Sequence, residues 1–229
     1  MNTPGLSEFF QQFLTRERLE RFDEVLNWRT RRVQVVLVDL FQQHNASAVL
    51  RSCDALGVQN VHIVESYNRF AANDDIALGS EQWLTLQYYT GQQAVTDCIG
   101  SLKSQGIQVA ATTLHTDSLL IDDIPLDRPV AVMFGNEHTG LPDEAIEAAD
   151  YLVHLPMYGF VESYNVSVAA ALCMQTLTGR LRSSREDWHL TQEERSDILS
   201  DWARKSLRKR DAFEREFRRQ TRKRESGSH

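Results

Sequence analysis

Between Val33 and Leu181 the chain alternates two hydrophobic rhythms. Short apolar runs rich in β-branched residues, at Val33–Leu40, Val61–Val64, Leu84–Tyr89, Ile107–Thr112, Val130–Phe134 and Tyr151–Leu155, have the length and composition of buried strands. Between them lie helical patterns. In the first, Asn45 is positioned as an N-cap, Val49, Leu50, Cys53 and Leu56 form a buried stripe, and Gly57 sits where a helix ends. Further helices are predicted over Gln92–Gln105, closed by Gly106, over Pro142–Ala149, and over the small-residue-rich stretch Asn165–Leu181. Strands separated by helices in this way predict an α/β fold: a largely parallel sheet with helices on both faces. Upstream, Phe9, Phe10, Phe13, Leu14, Phe22, Val25 and Leu26 fall at mostly helical spacings, which predicts one amphipathic helix from Ser7 to Trp28. Beyond Ser183, charged residues with scattered aromatics predict peripheral helices. The expected organisation is an N-terminal helical extension (1–32), a central domain (33–182) and a basic C-terminal helical extension (183–229).

Composition narrows the class. With 229 residues, 41% hydrophobic and 25% charged, the chain has the make-up of a globular protein and not of a disordered or fibrous one. Cys53, Cys98 and Cys173 form neither an even disulfide framework nor a Cys-x-x-Cys pair, which fits a reducing compartment. No apolar run approaches the roughly 20 residues needed to cross a bilayer, and Met1–Asn27 lacks the apolar core of a signal peptide. A cytoplasmic protein without membrane contact is expected. The net charge of −7 is unevenly spread: residues 1–32 carry +1, residues 33–179 carry −13 and residues 180–229 carry +5. Contact with a polyanion is therefore expected near the chain ends.

In open α/β sheets ligands bind outside the carboxyl ends of strands, and several familiar loops are missing there. No two glycines are separated by a single residue, no Gly-Lys-Ser/Thr occurs, no histidines stand at metal-ligand spacing, and there is no Gly-x-Ser-x-Gly elbow. Hydride transfer, nucleotide hydrolysis, zinc hydrolysis and serine-esterase chemistry lose support, and no metal is expected. Three loops remain. The first runs from His44 to Asp54, with Asn45 opening a helix and Arg51 off its apolar stripe. The second, Phe134-Gly135-Asn136-Glu137-His138-Thr139-Gly140-Leu141-Pro142, carries a strand into a polar turn whose glycines let backbone approach a ligand. The third, Leu155 to Ala171, places Ser163 and Asn165 just before a helix of small residues. Singly, these are also what a capped helix, a plain turn and a packed core helix look like.

In order, they resemble one family. Asn-x-Ser-x-x-x-Arg-Ser-Cys-Asp, then Phe-Gly-Asn-Glu-x-x-Gly-Leu, then Leu-Pro-Met-x-Gly-x-x-x-Ser-x-Asn-Val-Ser-Val-Ala-Ala-Ala are similar to the three motifs of the SpoU/TrmH branch of the SPOUT RNA ribose 2′-O-methyltransferases, over about residues 33–180. Tyr164 departs from the family's usual leucine. The resemblance implies an α/β domain threaded into a trefoil knot, which general connection rules would not suggest, a homodimer, and S-adenosylmethionine as cofactor. Its pocket would comprise Thr112, Leu114, Gly135, Leu155, Met157, Ser163 and Asn165. The implied catalytic set is Arg51, Asn45, Glu137, Ser163 and Asn165, with Arg51 acting either as base or, since a guanidinium stays protonated, as binder of the phosphate beside the target ribose. The short N-terminal helix and basic C-terminal extension resemble family members that methylate a tRNA D-loop guanosine. Ribosomal RNA, the tRNA anticodon loop and noncatalytic RNA binding remain alternatives. Candidate phosphate contacts are Arg16, Arg18, Arg29, Arg31, Arg32, Arg204, Lys205, Arg208, Lys209 and Arg210, with Arg215 to Arg224 behind them.

Overall fold

The computed structural model describes residues 6–40, 42–67, 79–114, 117–207, 217 and 219. These fall into two compact units, one of residues 29–189 and one formed jointly by the described residues of 1–28 and 190–229. The terminal segments, expected as two separate extensions, thus belong to one unit.

The larger unit is built on a seven-stranded sheet: β1 (Val33–Val38), β2 (Asn60–Glu65), β3 (Thr85–Thr90), β4 (Gln108–Thr112), β5 (Leu119–Leu120), β6 (Val130–Phe134) and β7 (Tyr151–His154). The order is β3-β2-β1-β6-β4-β7-β5, and every pairing is parallel. Strand β3 starts one residue later than its apolar pattern predicts, and the two-residue β5 carries no pattern to read.

Every residue of β1 is buried, as a strand covered on both faces must be. Its alternate side chains feed two cores. Val33, Val35 and Leu37 pack with Val49, Leu50 and Cys53 of helix α3 (Gln43–Leu56) and with Cys173, Met174 and Leu177 of helix α6 (Val166–Ser183). Val36 and Val38 join Val95, Cys98, Ile99 and Leu102 of helix α4 (Ala94–Ser104) and Ala145 of helix α5 (Asp143–Ala148). A period of two in the strand thereby becomes two helical layers.

In the smaller unit the predicted single N-terminal helix is two, α1 (Leu6–Gln11) and α2 (Arg16–Leu26). The break follows from Thr15, whose side chain accepts from Arg18 N at 3.3 Å and so starts a new helix. Helix α7 (Gln192–Ser206) opens with a reciprocal capping box between Thr191 and Glu194. Trp202 meets Phe22 edge-on at 5.4 Å, and Arg195 pairs with Asp23 at 2.6 Å.

Candidate active site

The three motif loops leave neighbouring strand ends. The first follows β1, the second follows β6, and the third follows β7; β4, between β6 and β7, contributes Thr112. Asn45 joins them. Its Nδ2 donates to Glu137 Oε1 at 2.6 Å and to Gln42 Oε1 at 3.1 Å, while its Oδ1 accepts from Asn165 Nδ2 at 3.1 Å. Asn165 in turn caps α6, its Oδ1 accepting from Ser167 N at 2.9 Å and Ser167 Oγ at 2.6 Å. Asn45 is 2% exposed, and its amide is satisfied by protein partners from the second and third loops and by Gln42 just ahead of the first. It is not the N-cap expected from sequence: the cap lies three residues earlier, at Gln42. That shift puts Asn45 inside the first turn, where its side chain turns toward the other loops.

The second loop is tightly folded. Asn136 and Gly140 form an antiparallel bridge, with N–H···O distances of 3.1 and 2.9 Å. A Cβ on Gly135 would lie 2.2 Å from the Gly140 carbonyl carbon, so only glycine lets these backbones meet. Asn136 Nδ2 donates to the Asp39 carbonyl at 2.8 Å, and the Asp39 carboxylate accepts from Ser66 N and Tyr67 N at 2.8 and 3.0 Å. Asp39, with φ of 49°, is the one non-glycine residue with positive φ among the described residues, and it ties the ends of β1, β2 and β6 together.

Against these loops lies a cavity of about 530 Å³. Thr112, Leu114, Gly135, Leu155, Met157, Ser163 and Asn165, the seven residues expected around a cofactor, all line it, as does Glu137. Thr112 Oγ1 donates to Met133 O at 2.8 Å, and the Tyr164 hydroxyl donates to Pro156 O at 3.3 Å, so Tyr164 closes the third loop on itself. Cys173 forms part of the floor; burial, reinforced by Asp122, pushes its thiol up to about 12, which keeps it protonated and unreactive near neutrality.

Arg51 stands apart. It is exposed on α3, does not line the cavity, and its side chain makes no ion pair or hydrogen bond among the described residues. Six residues beyond Asn45, it lies roughly 9 Å further along the helix and on a different face. The remaining arginine candidates divide. Arg29 is corrected: it is 1% exposed, its guanidinium donates to Asp54 and, at 3.5 Å, to Val58 O, and burial lowers its pKa against the opposing pull of Asp54. It fastens α3 to the start of the sheet and offers nothing to a phosphate. Arg32 donates to Leu126 O at 2.6 Å and faces Glu186 at 3.6 Å, and Arg31 is half-buried. Arg16 pairs with Glu20, and Arg18 sits 5.4 Å over the Phe22 ring; both are exposed. Arg204 and Lys205 share Asp201, at 3.2 and 2.5 Å. Arg208, Lys209 and Arg210 lie outside the described residues, as does the following basic stretch apart from Arg219.

Sequence reasoning missed Gln42, Asp39 and His154. His154, at the end of β7, lines the cavity with Nδ1 held 2.9 Å from Ser118 Oγ. A polar residue closing an apolar strand was the available signal for Asp39 and His154. Among the described residues no cluster of His, Cys, Asp and Glu is arranged to hold a metal, and no helix is long and apolar enough to cross a membrane.

The fold and the convergence of these loops define a class. The model of the SpoU rRNA Methylase family matches residues 32–175, and the chain belongs to that family. It is 40% identical over 197 residues to a tRNA (guanosine(18)-2′-O)-methyltransferase of Borreliella burgdorferi, spanning 86% of this chain and 89% of that one. An enzyme of the same description from Thermus thermophilus is 35% identical over 193 residues, 83% of this chain and 98% of its own. Among solved structures, the Aquifex aeolicus TrmH/SpoU tRNA modifying enzyme aligns with a TM-score of 0.75 at 29% identity, covering 84% of this chain and 98% of that one.

Proposed function

We propose that this chain is an S-adenosylmethionine-dependent RNA 2′-O-ribose methyltransferase acting on guanosine 18 of tRNA. The observation that carries the reading is the Glu137–Asn45–Asn165 network, which fastens three motif loops around one cavity. Family membership and the near full-length relatives named for this activity support the substrate.

The cavity suits the cofactor. Its volume lies within the roughly 300–1,000 Å³ of small-molecule sites, apolar Leu114, Leu155 and Met157 suit an adenosine, and the Glu137 carboxylate suits a cation. When bound, S-adenosylmethionine supplies an electrophilic methyl on a sulfonium, and transfer to the ribose 2′-oxygen leaves S-adenosylhomocysteine and releases one proton. The chain's own part is binding and alignment. Glu137 presents negative charge at a position fixed by Asn45. Asn165, held by the same asparagine, aligns the start of α6, and Ser163 completes that wall. Arg51, whose guanidinium has no protein partner among the described residues, binds the phosphate beside the target ribose and orients its hydroxyl.

The exposed apolar surface of this unit supports a homodimer. Tyr164, Val168 and Leu172, four residues apart along α6 and its entry, are each at least 40% exposed, and Tyr158 and Phe160 are almost fully so. Family membership supports the knotted threading. Arg16, Arg18, Arg31, Arg32, Arg204 and Lys205 serve as further phosphate contacts, and the compartment is the cytoplasm.

Transfer of labelled methyl to separately purified, unmodified tRNA and ribosomal RNA, followed by nucleoside mapping, tests the reading. Expected is 2′-O-methylguanosine at tRNA position 18. Label in ribosomal RNA or the anticodon loop would replace the substrate, and no label in any RNA would overturn the activity.

A further inference from the structure

Gln42 is given no role by the motifs, yet it lines the cavity and is fixed at both ends. Its backbone carbonyl accepts from Asn45 N and Ala46 N at 3.1 and 3.2 Å, and its side-chain Oε1 accepts from Asn45 Nδ2 at 3.1 Å. The Nε2 group makes no hydrogen bond among the described residues. An amide nitrogen donates two hydrogen bonds and accepts none, so what Gln42 offers a ligand is a fixed donor, best matched by an oxygen anion. Glu137 lines the same cavity and takes the other branch of the Asn45 Nδ2 group, at 2.6 Å. One asparagine therefore holds an amide donor and a carboxylate side by side. That pair is the complement of an α-amino acid, whose carboxylate meets the donor and whose ammonium meets the acceptor.

We propose that Gln42 binds the carboxylate of the cofactor's methionine tail, making the tail a determinant of affinity in addition to the nucleoside. The assignment rests on the methyl donor proposed above. It makes the site selective against adenosine thioethers that lack the carboxylate.

Titration calorimetry of the full chain with S-adenosylhomocysteine, decarboxylated S-adenosylhomocysteine and 5′-methylthioadenosine tests this. The wild-type chain is expected to prefer S-adenosylhomocysteine over the decarboxylated ligand. Gln42→Leu, which removes the donor, should lose about tenfold on S-adenosylhomocysteine and less than about twofold on the other two, so that the preference disappears. Gln42→Glu keeps an acceptor for Asn45 while removing the donor, and it should show the same selective loss; it separates ligand binding from collapse of the network. Equal losses on all three ligands, or an unchanged preference in both variants, would overturn the role of Gln42 and leave the methyl donor standing. Failure of the wild-type chain to bind S-adenosylhomocysteine would overturn both.

Discussion

The two ends of the parallel sheet both bury polar side chains and use them for different purposes. At the amino ends of the strands, Gln59 Nε2 donates to Trp83 O and Thr85 Oγ1, Gln108 Nε2 donates to the Tyr151 hydroxyl at 2.7 Å, and Arg29 is committed to Asp54. Those bonds close the fold, and none of these residues lines the cavity at the other end. At the carboxyl ends, Asn45, Glu137 and Asn165 also bond one another, but around a space of about 530 Å³ that their loops leave open. Burial of a polar group is thus not what marks function here. What separates the ends is a cavity with a donor and a carboxylate on its wall, and on the flanking helix a guanidinium, that of Arg51, with no partner among the described residues.

The comparison is broken most severely at Arg29. Arg29→Ala removes one partner of a buried ion pair and is expected to cost about 3 kcal/mol, toward the lower end of such losses because Asp54 stays 32% exposed. Denaturant unfolding checks this, with affinity for S-adenosylhomocysteine unchanged in the fraction that stays folded. Next comes Gly135→Ala, whose Cβ would collide with the Gly140 carbonyl carbon; it should destabilise by about 2 kcal/mol and also weaken S-adenosylhomocysteine binding, because the displaced loop is the cavity wall. A variant as stable and as tight-binding as the wild type would contradict the close approach. Asn165→Ala should cost about 1 kcal/mol through the lost helix cap, together with turnover, because Asn45 loses one of its partners.

The effect that is smallest at neutral pH, and grows only as the solution is acidified, belongs to the other end of the sheet. His62 Nε2 lies 2.7 Å from Gln34 Oε1, and burial depresses its pKa to about 4. Above pH 6.5 the imidazole is neutral in both the folded and unfolded states, and its environment carries no penalty. As pH falls from 6.5 toward 4 the unfolded chain takes up a proton that the native chain resists, so stability declines through that window. His62→Gln should flatten this part of the stability profile measured by urea unfolding.

Much of this was legible in the sequence, for identifiable reasons. Strands such as β1 and β6 are buried on both faces and so read as unbroken apolar runs, and Gly57 sits in the left-handed conformation at the end of α3 where its position predicted a helix stop. The break at Thr15 was not legible, because Phe13 and Leu14 continue a helical spacing across it. The arginines were the clearest failure of pattern alone. Arg29 and Arg51 are indistinguishable by type, and only the fold brings Asp54 to one and no described partner to the other. Asn45 read as a cap because caps are local, whereas its partners Glu137 and Asn165 are 92 and 120 residues away. Gln42 escaped notice because a single amide carries no pattern.

The most direct test of the account is Arg51→Ala, assayed for methyl transfer to unmodified tRNA beside thermal unfolding and S-adenosylhomocysteine binding. The account predicts turnover down by about a hundredfold or more, with melting temperature and cofactor-product affinity at wild-type values, since the side chain is exposed and outside the cavity. Near-normal turnover, or a loss of activity matched by loss of folding or of S-adenosylhomocysteine binding, would contradict it.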